Sequence, residues 1–102
     1  MKDLLNFAVA KIRAKESSIL WSHTRPNGLT LSSLFVDSQL TNCTVCGENL
    51  ASEFLDVSSA MIGLMNSDSH RANILNKKYT KIGIYVYYDS NNCMYIAQIF
   101  SN

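Results

Sequence analysis

A chain of 102 residues with 47% hydrophobic and 17% charged residues has the composition of one small globular domain over residues 1–102. It should bury roughly 60% or more of its unfolded surface, enough for a modest core without metal or disulfide staples. The net charge of +1 comes from 9 basic and 8 acidic residues scattered along the chain, which excludes nucleic acid as an implied partner. No apolar run is long enough to span a bilayer, and Asp3, Asn6 and Lys11 interrupt the N-terminal apolar stretch too early for a signal peptide.

The first predicted element is a helix over residues 3–18. Its apolar residues recur at helical spacing and are expected to face the core: Leu4, Leu5, Ala8 and Ile12. Three basic residues fall largely on the opposite side of the same helix: Lys11, Arg13 and Lys15. The pattern therefore predicts an amphipathic helix with a cationic outer face.

The middle of the chain alternates turns with short elements. Pro26-Asn27-Gly28 predicts a turn, because proline fixes φ and Asn-Gly tolerates positive φ. The segment 29–39 favours a short helix through Leu31, Leu34 and Phe35, with Thr30 or Ser32 as its cap. Residues 43–51 predict a short strand that carries a Gly-Glu-Asn turn.

The last third combines helices with a hairpin. Asp56 is a favourable N-cap for a helix over residues 56–66, and residues 70–75 add a further helical turn. The run 81–88 is rich in β-branched and aromatic residues, 89–92 is a turn, and 93–100 returns as a second strand. Helices beside a small antiparallel sheet place the chain in the α+β class.

Three cysteines are present, at positions 43, 46 and 93, so at least one thiol is free or pairs with another chain. A disulfide from Cys93 to Cys43 or Cys46 would suit a secreted domain, and buried free thiols are the alternative. The Cys43-Thr44-Val45-Cys46 spacing lacks both the strand-to-helix context of a redox pair and the second cysteine pair of a structural zinc site.

Five segments in order resemble the CAP superfamily, also called SCP-like, which comprises cysteine-rich secretory proteins, antigen 5 and pathogenesis-related 1 proteins. The matching segments of its bacterial branch are His23–Gly28, Gly47–Ala51, Asn66–Leu75, Ile82–Val86 and Ala97–Phe100. Arg13-Ala14-Lys15-Glu16 also looks like the family's arginine-alanine-x-glutamate stretch. The resemblance implies a three-layer α-β-α sandwich, in which helices cover both faces of a small antiparallel sheet.

The sequence departs from the family pattern in two places, and each difference leads to an expectation about the structure. The family's first helix, with an Asn-x-x-Arg motif, has no counterpart here, so the domain looks N-terminally truncated. Apolar surface that this helix would cover is then open, which leads us to expect a homo-oligomer. Leu64 stands where the family has tryptophan, a change of packing rather than of chemistry.

The resemblance also implies a cleft with two histidines and two acidic residues. Carried over by position, these are His23, Glu48 and His70; the fourth position aligns near Ser67, with Asp68 the nearest carboxylate. Asn49 and Arg71 complete the candidate cleft. Two imidazoles and a carboxylate are a plausible three-ligand shell for Zn²⁺ or another divalent metal, with His23 and His70 as the ligands and Glu48 nearby.

Without metal, Glu48 could orient His70 as a general base. The competing interpretation is a structural hydrogen-bond network, in which Glu48 binds backbone amides of its own turn and Arg71 pairs with an acid.

Three functions compete. The first is a secreted binding or interaction module for a small ligand, a lipid or a protein, in which Met61, Leu64 and Met65 line an apolar groove or simply belong to the core. The second is a metal-dependent hydrolase acting on peptides or cell-wall material. The third is a structural domain of a larger exported protein. In each case the resemblance implies an extracellular or cell-surface location.

Overall fold

Helices cover both faces of a three-stranded sheet in the computed structural model, which describes residues 4–37 and 46–102. The helices are α1 (Leu4–Ile19), α2 (Ser32–Asp37), α3 (Val57–Met65) and α4 (Asp68–Ile74). The strands are β1 (Cys46–Ser52), β2 (Lys81–Tyr88) and β3 (Met94–Ser101). β3 lies in the centre and pairs antiparallel with both β1 and β2. The α+β class and the α-β-α layering are confirmed.

Alternation along β3 divides the core into two clusters. Ala97 and Ile99 pack with residues of α1 and α2, and we call this face of the sheet the α1 side. Met94 and Ile96 pack with Ala60 and other residues of α3, and we call that face the α3 side. The register pairs Glu48 with Ile99 and Asn49 with Gln98, so these two neighbours on β1 project to opposite sides. This separation determines the geometry of the candidate site.

The predicted core face of α1 is wrong. The helix buries Asn6, Val9, Ala10, Arg13, Ala14 and Ser17, whereas Leu4, Ala8 and Ile12 are exposed. Of the four predicted core residues only Leu5, which is half-buried, packs against the core. The reason is close packing: a Cβ on Gly83 of β2 would overlap the backbone of α1 at Asn6 and Phe7, so the helix rests directly on the strand. Such an approach favours the small residues over the large apolar ones.

Polar groups are tolerated on the buried face of α1 because they are hydrogen-bonded. The Asn6 amide donates to the Ile99 carbonyl at 3.2 Å and to Ser101 Oγ at 2.9 Å. Arg13 is bonded as described below. The helical periodicity of the apolar residues takes no account of buried polar side chains, and it therefore predicts that the exposed face of α1 is the buried one.

The predicted Gly-Glu-Asn turn is also wrong. Residues 47–49 lie inside β1, paired with Phe100, Ile99 and Gln98 of β3. The glycine is required by packing rather than by a turn, since a Cβ there would overlap the Tyr79 hydroxyl. Cys43–Val45, the predicted start of this strand, lie outside the described residues.

Several local predictions are confirmed. Asp56 caps α3, its carboxylate accepting from the Ser59 amide at 2.7 Å. Gly28 has φ of 84° and its amide donates to the Arg25 carbonyl, closing the predicted turn. The hairpin of β2 and β3 forms with Tyr88 opposite Met94.

Leu64 is buried in the α3-side core and Met61 packs against it, as the core interpretation of the methionine segment predicts. Cys46 and Cys93 are free thiols, so a disulfide between them is excluded; Cys46 is half-buried and Cys93 exposed, while Cys43 lies outside the described residues. None of the helices in the described part of the chain is both long and apolar enough to cross a membrane.

Candidate functional site

A buried ion pair joins α1 to β1 on the α1 side. Arg13 Nε donates to Glu48 Oε1 at 2.9 Å and Nη2 donates to Glu48 Oε2 at 3.0 Å, a two-point pairing of the planar groups. The two side chains are 0% and 3% exposed. Glu48 thus binds a guanidinium from another element, not the backbone amides of its own turn.

The ion pair continues into a network that holds the loop between α1 and α2. Arg13 Nη1 donates to Glu16 Oε1 at 2.8 Å, and its Nη2 donates to the Ser22 carbonyl at 2.8 Å. Arg25 donates to both oxygens of Glu16 and, through Nη1, to Ser33 Oγ at 2.7 Å. Two arginines and two glutamates therefore anchor the loop that carries His23.

In this network the ion pairs affect the pKa values more than burial does. Burial alone would lower the pKa of Arg13, but the hydrogen bonds and charges of Glu48 and Glu16 raise that pKa above its ordinary value. Burial would likewise raise the pKa of Glu16, yet Arg25 and Arg13 hold it below its ordinary value. Both groups are therefore charged at neutral pH.

His23 is the exposed end of the network. Its Nδ1 lies 2.8 Å from Glu48 Oε2, and its side chain is 68% exposed while that of Glu48 is only 3% exposed. A carboxylate at this nitrogen favours a proton on Nδ1, so in the neutral ring Nε2 is the acceptor. Glu48 therefore orients His23, and not His70 as the sequence suggested.

A second polar network lies on the α3 side and holds α4 against β1. The Asn49 amide donates to Gln98 Oε1 and to the His70 carbonyl, each at 3.0 Å. Asn73 in turn donates to Asn49 Oδ1 at 2.8 Å. Asn49 thus fixes the backbone of His70 rather than its ring.

The His70 ring pairs locally with Ser67, its Nδ1 lying 2.8 Å from Ser67 Oγ. Ser67 is the N-cap residue of α4, but its hydroxyl is engaged by this ring. Within residues 4–37 and 46–102, no hydrogen bond or ion pair joins His70 to His23 or Glu48. The structure thus forms two separate pairs, and a cleft shared by both histidines stays a prediction.

Asp68 and Arg71 are exposed on α4. Among the described residues no ion pair includes Arg71, so its expected pairing with an acid stays a prediction.

Sequence reasoning missed Arg13, Glu16 and Arg25 as partners in the site. Their segments match motifs of the family, but a motif does not say which side chains are in contact.

Glu48 does not fit the part of a third metal ligand, because both of its oxygens are engaged by Arg13 and His23. The contacts of His23 and His70 are made through Nδ1 and leave Nε2 of each ring as the atom for a metal, so metal binding by the two histidines stays a prediction. Among the described residues, no three His, Cys, Asp or Glu side chains are grouped so that they could hold one ion. Glu48 has instead the position of a carboxylate that orients a histidine from behind.

The family assignment follows from sequence and fold together. The model of the CAP, or cysteine-rich secretory protein, family matches residues 5–100. The chain belongs to the CAP family. The matched range includes both polar networks and, apart from Ser101 at the end of β3, all three strands of the described sheet.

Solved CAP-type structures have the same fold. An extracellular protein containing an SCP domain from Bacillus anthracis is 28% identical with a TM-score of 0.86, over 99% of this chain and 33% of that one. An outer surface protein from Borrelia burgdorferi is 23% identical with a TM-score of 0.87, over 99% of this chain and 75% of that one. A cysteine-rich secretory protein from Staphylococcus aureus is 24% identical with a TM-score of 0.77, over 98% of this chain and 30% of that one.

This CAP domain therefore spans about a third of the Bacillus and Staphylococcus chains and three quarters of the Borrelia chain. Among curated protein sequences, no significant match is found.

Proposed function

We propose that this CAP domain is an extracellular binding module whose ligand contacts the exposed imidazole of His23. The observation that carries the proposal is the 2.8 Å contact from a buried carboxylate to Nδ1 of a ring whose side chain is 68% exposed. A ring held in this way presents Nε2 to solvent in a fixed orientation at little entropic cost on binding. Ligands with hydroxyl or amide N–H donors suit that acceptor, and cell-wall polymers carry both.

The location is proposed from the relatives. The similar Bacillus chain is described as extracellular and the Borrelia chain as an outer surface protein. A domain in that position meets cell-wall polymer before any intracellular ligand.

The alternative, a metal-dependent hydrolase, has less support in the geometry. The carboxylate of Glu48 is 3% exposed and is engaged by Arg13 and His23, so it is poorly placed to take a proton from a substrate. The His70–Ser67 pair, in the described residues, has no carboxylate bonded to the ring to orient it as a base. Binding through His23 needs neither group to react.

Co-sedimentation with purified peptidoglycan sacculi tests the proposal. We expect the wild type to sediment with sacculi, His23→Ala to bind several-fold more weakly, and His70→Ala, the same change at the other histidine, to bind like the wild type. Failure of the wild type to sediment would contradict the proposed ligand class. Release of soluble fragments from sacculi or casein that stops on adding EDTA would favour the hydrolase.

Metal binding is a separate hypothesis with its own test. If His23 and His70 hold one zinc ion, calorimetry will show zinc binding to the wild type and none to the variant carrying both His23→Ala and His70→Ala. Equal binding by the two proteins, or none by either, refutes a site formed by these histidines.

A further inference from the structure

The outward side of α1 exposes a row of apolar side chains along its length, with Lys15 standing between Ile12 and Ile19. Leu4, Ile12 and Ile19 are 89%, 41% and 70% exposed, and Ala8 is exposed between them. These residues recur at helical spacing over about 22 Å, at 1.5 Å per residue, opposite the face that packs on the sheet. We call this surface, together with the exposed Lys11 and Lys15, the α1 outer face.

The charge on the α1 outer face is exclusively positive. α1 contains four charged residues, of which Arg13 is buried and Glu16 is turned inward to bind Arg13 and Arg25. Only Lys11 and Lys15 remain exposed; Lys11 lies at the middle of the apolar row and Lys15 about one turn beyond it. Lys11 Nζ lies 5.9 Å from the centroid of the Tyr85 ring, and the flexible stem of a lysine also allows its ammonium group to reach a partner outside the protein.

The positive charge of the α1 outer face favours some binding partners over others. A second copy of the chain packed face to face would bring lysines against lysines, which costs free energy unless acids intervene. A second group of exposed apolar side chains consists of Val57 and Ile62 of α3, a helix with no charged residue, and Leu55 just before its N-cap Asp56. Among the helices of residues 4–37 and 46–102, only α1 combines exposed aliphatic side chains with exposed lysines and no exposed acid.

We propose that the α1 outer face docks on an anionic lipid bilayer. The helix would lie in the plane of the interface, with Leu4, Ile12 and Ile19 entering the boundary between headgroups and acyl chains. Lys11 and Lys15 would extend to lipid phosphates, and the attraction falls off within a Debye length of the surface. The association is peripheral and salt-sensitive, and it uses a surface distinct from His23.

Vesicle flotation tests the charge requirement. We expect the protein to float with vesicles of phosphatidylglycerol and phosphatidylcholine, to remain unbound with phosphatidylcholine alone, and to be released by raised salt. Lys11→Glu with Lys15→Glu should weaken binding about tenfold or more. The matched control is Lys77→Glu with Lys78→Glu, an exposed pair elsewhere that changes the net charge equally and should retain binding. Equal losses in the two double variants would overturn the proposal.

A second pair of variants tests the apolar row. Ile12→Ser with Ile19→Ser should abolish flotation, whereas Leu55→Ser with Ile62→Ser, which removes exposed aliphatic side chains from the second group, should not. Sedimentation velocity without vesicles completes the design. If the wild type is a dimer that Ile12→Ser with Ile19→Ser dissociates, a second copy of the chain covers the α1 outer face and the proposal is overturned. If the wild type does not float with anionic vesicles, the face does not bind a bilayer and the proposal is also overturned. His23→Ala should float like the wild type, so failure here leaves the peptidoglycan proposal standing.

Discussion

Replacing Glu48 by glutamine should destabilise the fold more than any other single amide-for-acid exchange on the α1 side. Both carboxylate oxygens accept from donors: Oε1 from Arg13 Nε, and Oε2 from Arg13 Nη2 with His23 Nδ1 also 2.8 Å away. Glutamine keeps one acceptor but turns an NH₂ group toward a donor. The change therefore removes both a charge and at least one hydrogen bond while keeping the side-chain volume.

The magnitude follows from the burial of the partner. Arg13 is 0% exposed and would keep Glu16 as its remaining acidic partner. Removing one member of a buried pair costs about 3–5 kcal/mol, and we expect about 3 kcal/mol because Glu16 still compensates part of the charge. A domain of this size has a total stability of about 5–15 kcal/mol, so the variant should remain folded but be clearly weakened.

Urea denaturation monitored by circular dichroism measures the loss. The midpoint should fall with little change in the slope m, because the surface exposed on unfolding is the same. Glu16→Gln is the comparison: it removes the more exposed acid of the network, with a side chain 16% exposed, and should cost less. If Glu48→Gln costs under about 1 kcal/mol, the buried pair is not the main link between α1 and β1.

Four further outcomes are expected. Because the pKa of Glu16 is lowered in the folded state, Glu16 stabilises the fold above its unfolded-state pKa of 4.5, and this stabilisation is lost as pH falls through the lowered folded-state pKa. In Glu16→Gln the midpoint of urea unfolding should therefore fall less at acidic pH than it does in the wild type. An equal fall in both proteins would refute this role of Glu16. Asp56→Ala should destabilise α3 in thermal melts and Asp56→Asn much less, since asparagine also caps; equal losses would argue against the cap. Gly47→Ala should cost about 1–3 kcal/mol because its Cβ meets the Tyr79 hydroxyl, and less in a Tyr79→Phe background; additive losses would contradict that contact. Cys93 should react rapidly with Ellman's reagent in the native protein, and Cys93→Ser should remove this fast phase; no fast phase in the wild type would mean that the thiol is paired.

Local signals predicted the elements that depend on few distant partners. The hairpin of β2 and β3 is formed by neighbouring β-rich runs, and α3 begins at a side chain that bonds only three residues away. Both features are set by interactions within short stretches of the chain, so their patterns survive in the sequence.

The buried face of α1 could not be predicted in this way. Asn6 is buried because it bonds Ile99, 93 residues away, and Arg13 because it bonds Glu48, 35 residues away. Residues 47–49 suggested a turn because glycine and asparagine favour turns, whereas here Tyr79 requires the glycine and Gln98 accepts from the asparagine.

For the candidate site, too, the sequence identifies the residues but not which of them are in contact. The resemblance selected Glu48 and both histidines, and the structure joins Glu48 to His23. Which imidazole the carboxylate orients depends on strand alternation: Glu48 projects to the α1 side, and its neighbour Asn49 projects toward α4. A shift of one residue in the register of β1 would reverse the two roles.

The central position of β3 has a consequence for synthesis. It is the last of the three strands along the chain, yet it supplies every strand pairing that β1 and β2 make in the described sheet. Until residues 94–101 have been synthesised, the other two strands have no sheet to join, and the pairing of Cys46 with Ser101 spans more than half the chain. The sheet of the nascent domain therefore cannot form before residues 94–101 are available, whereas α1, α3 and α4 contain only residues synthesised earlier.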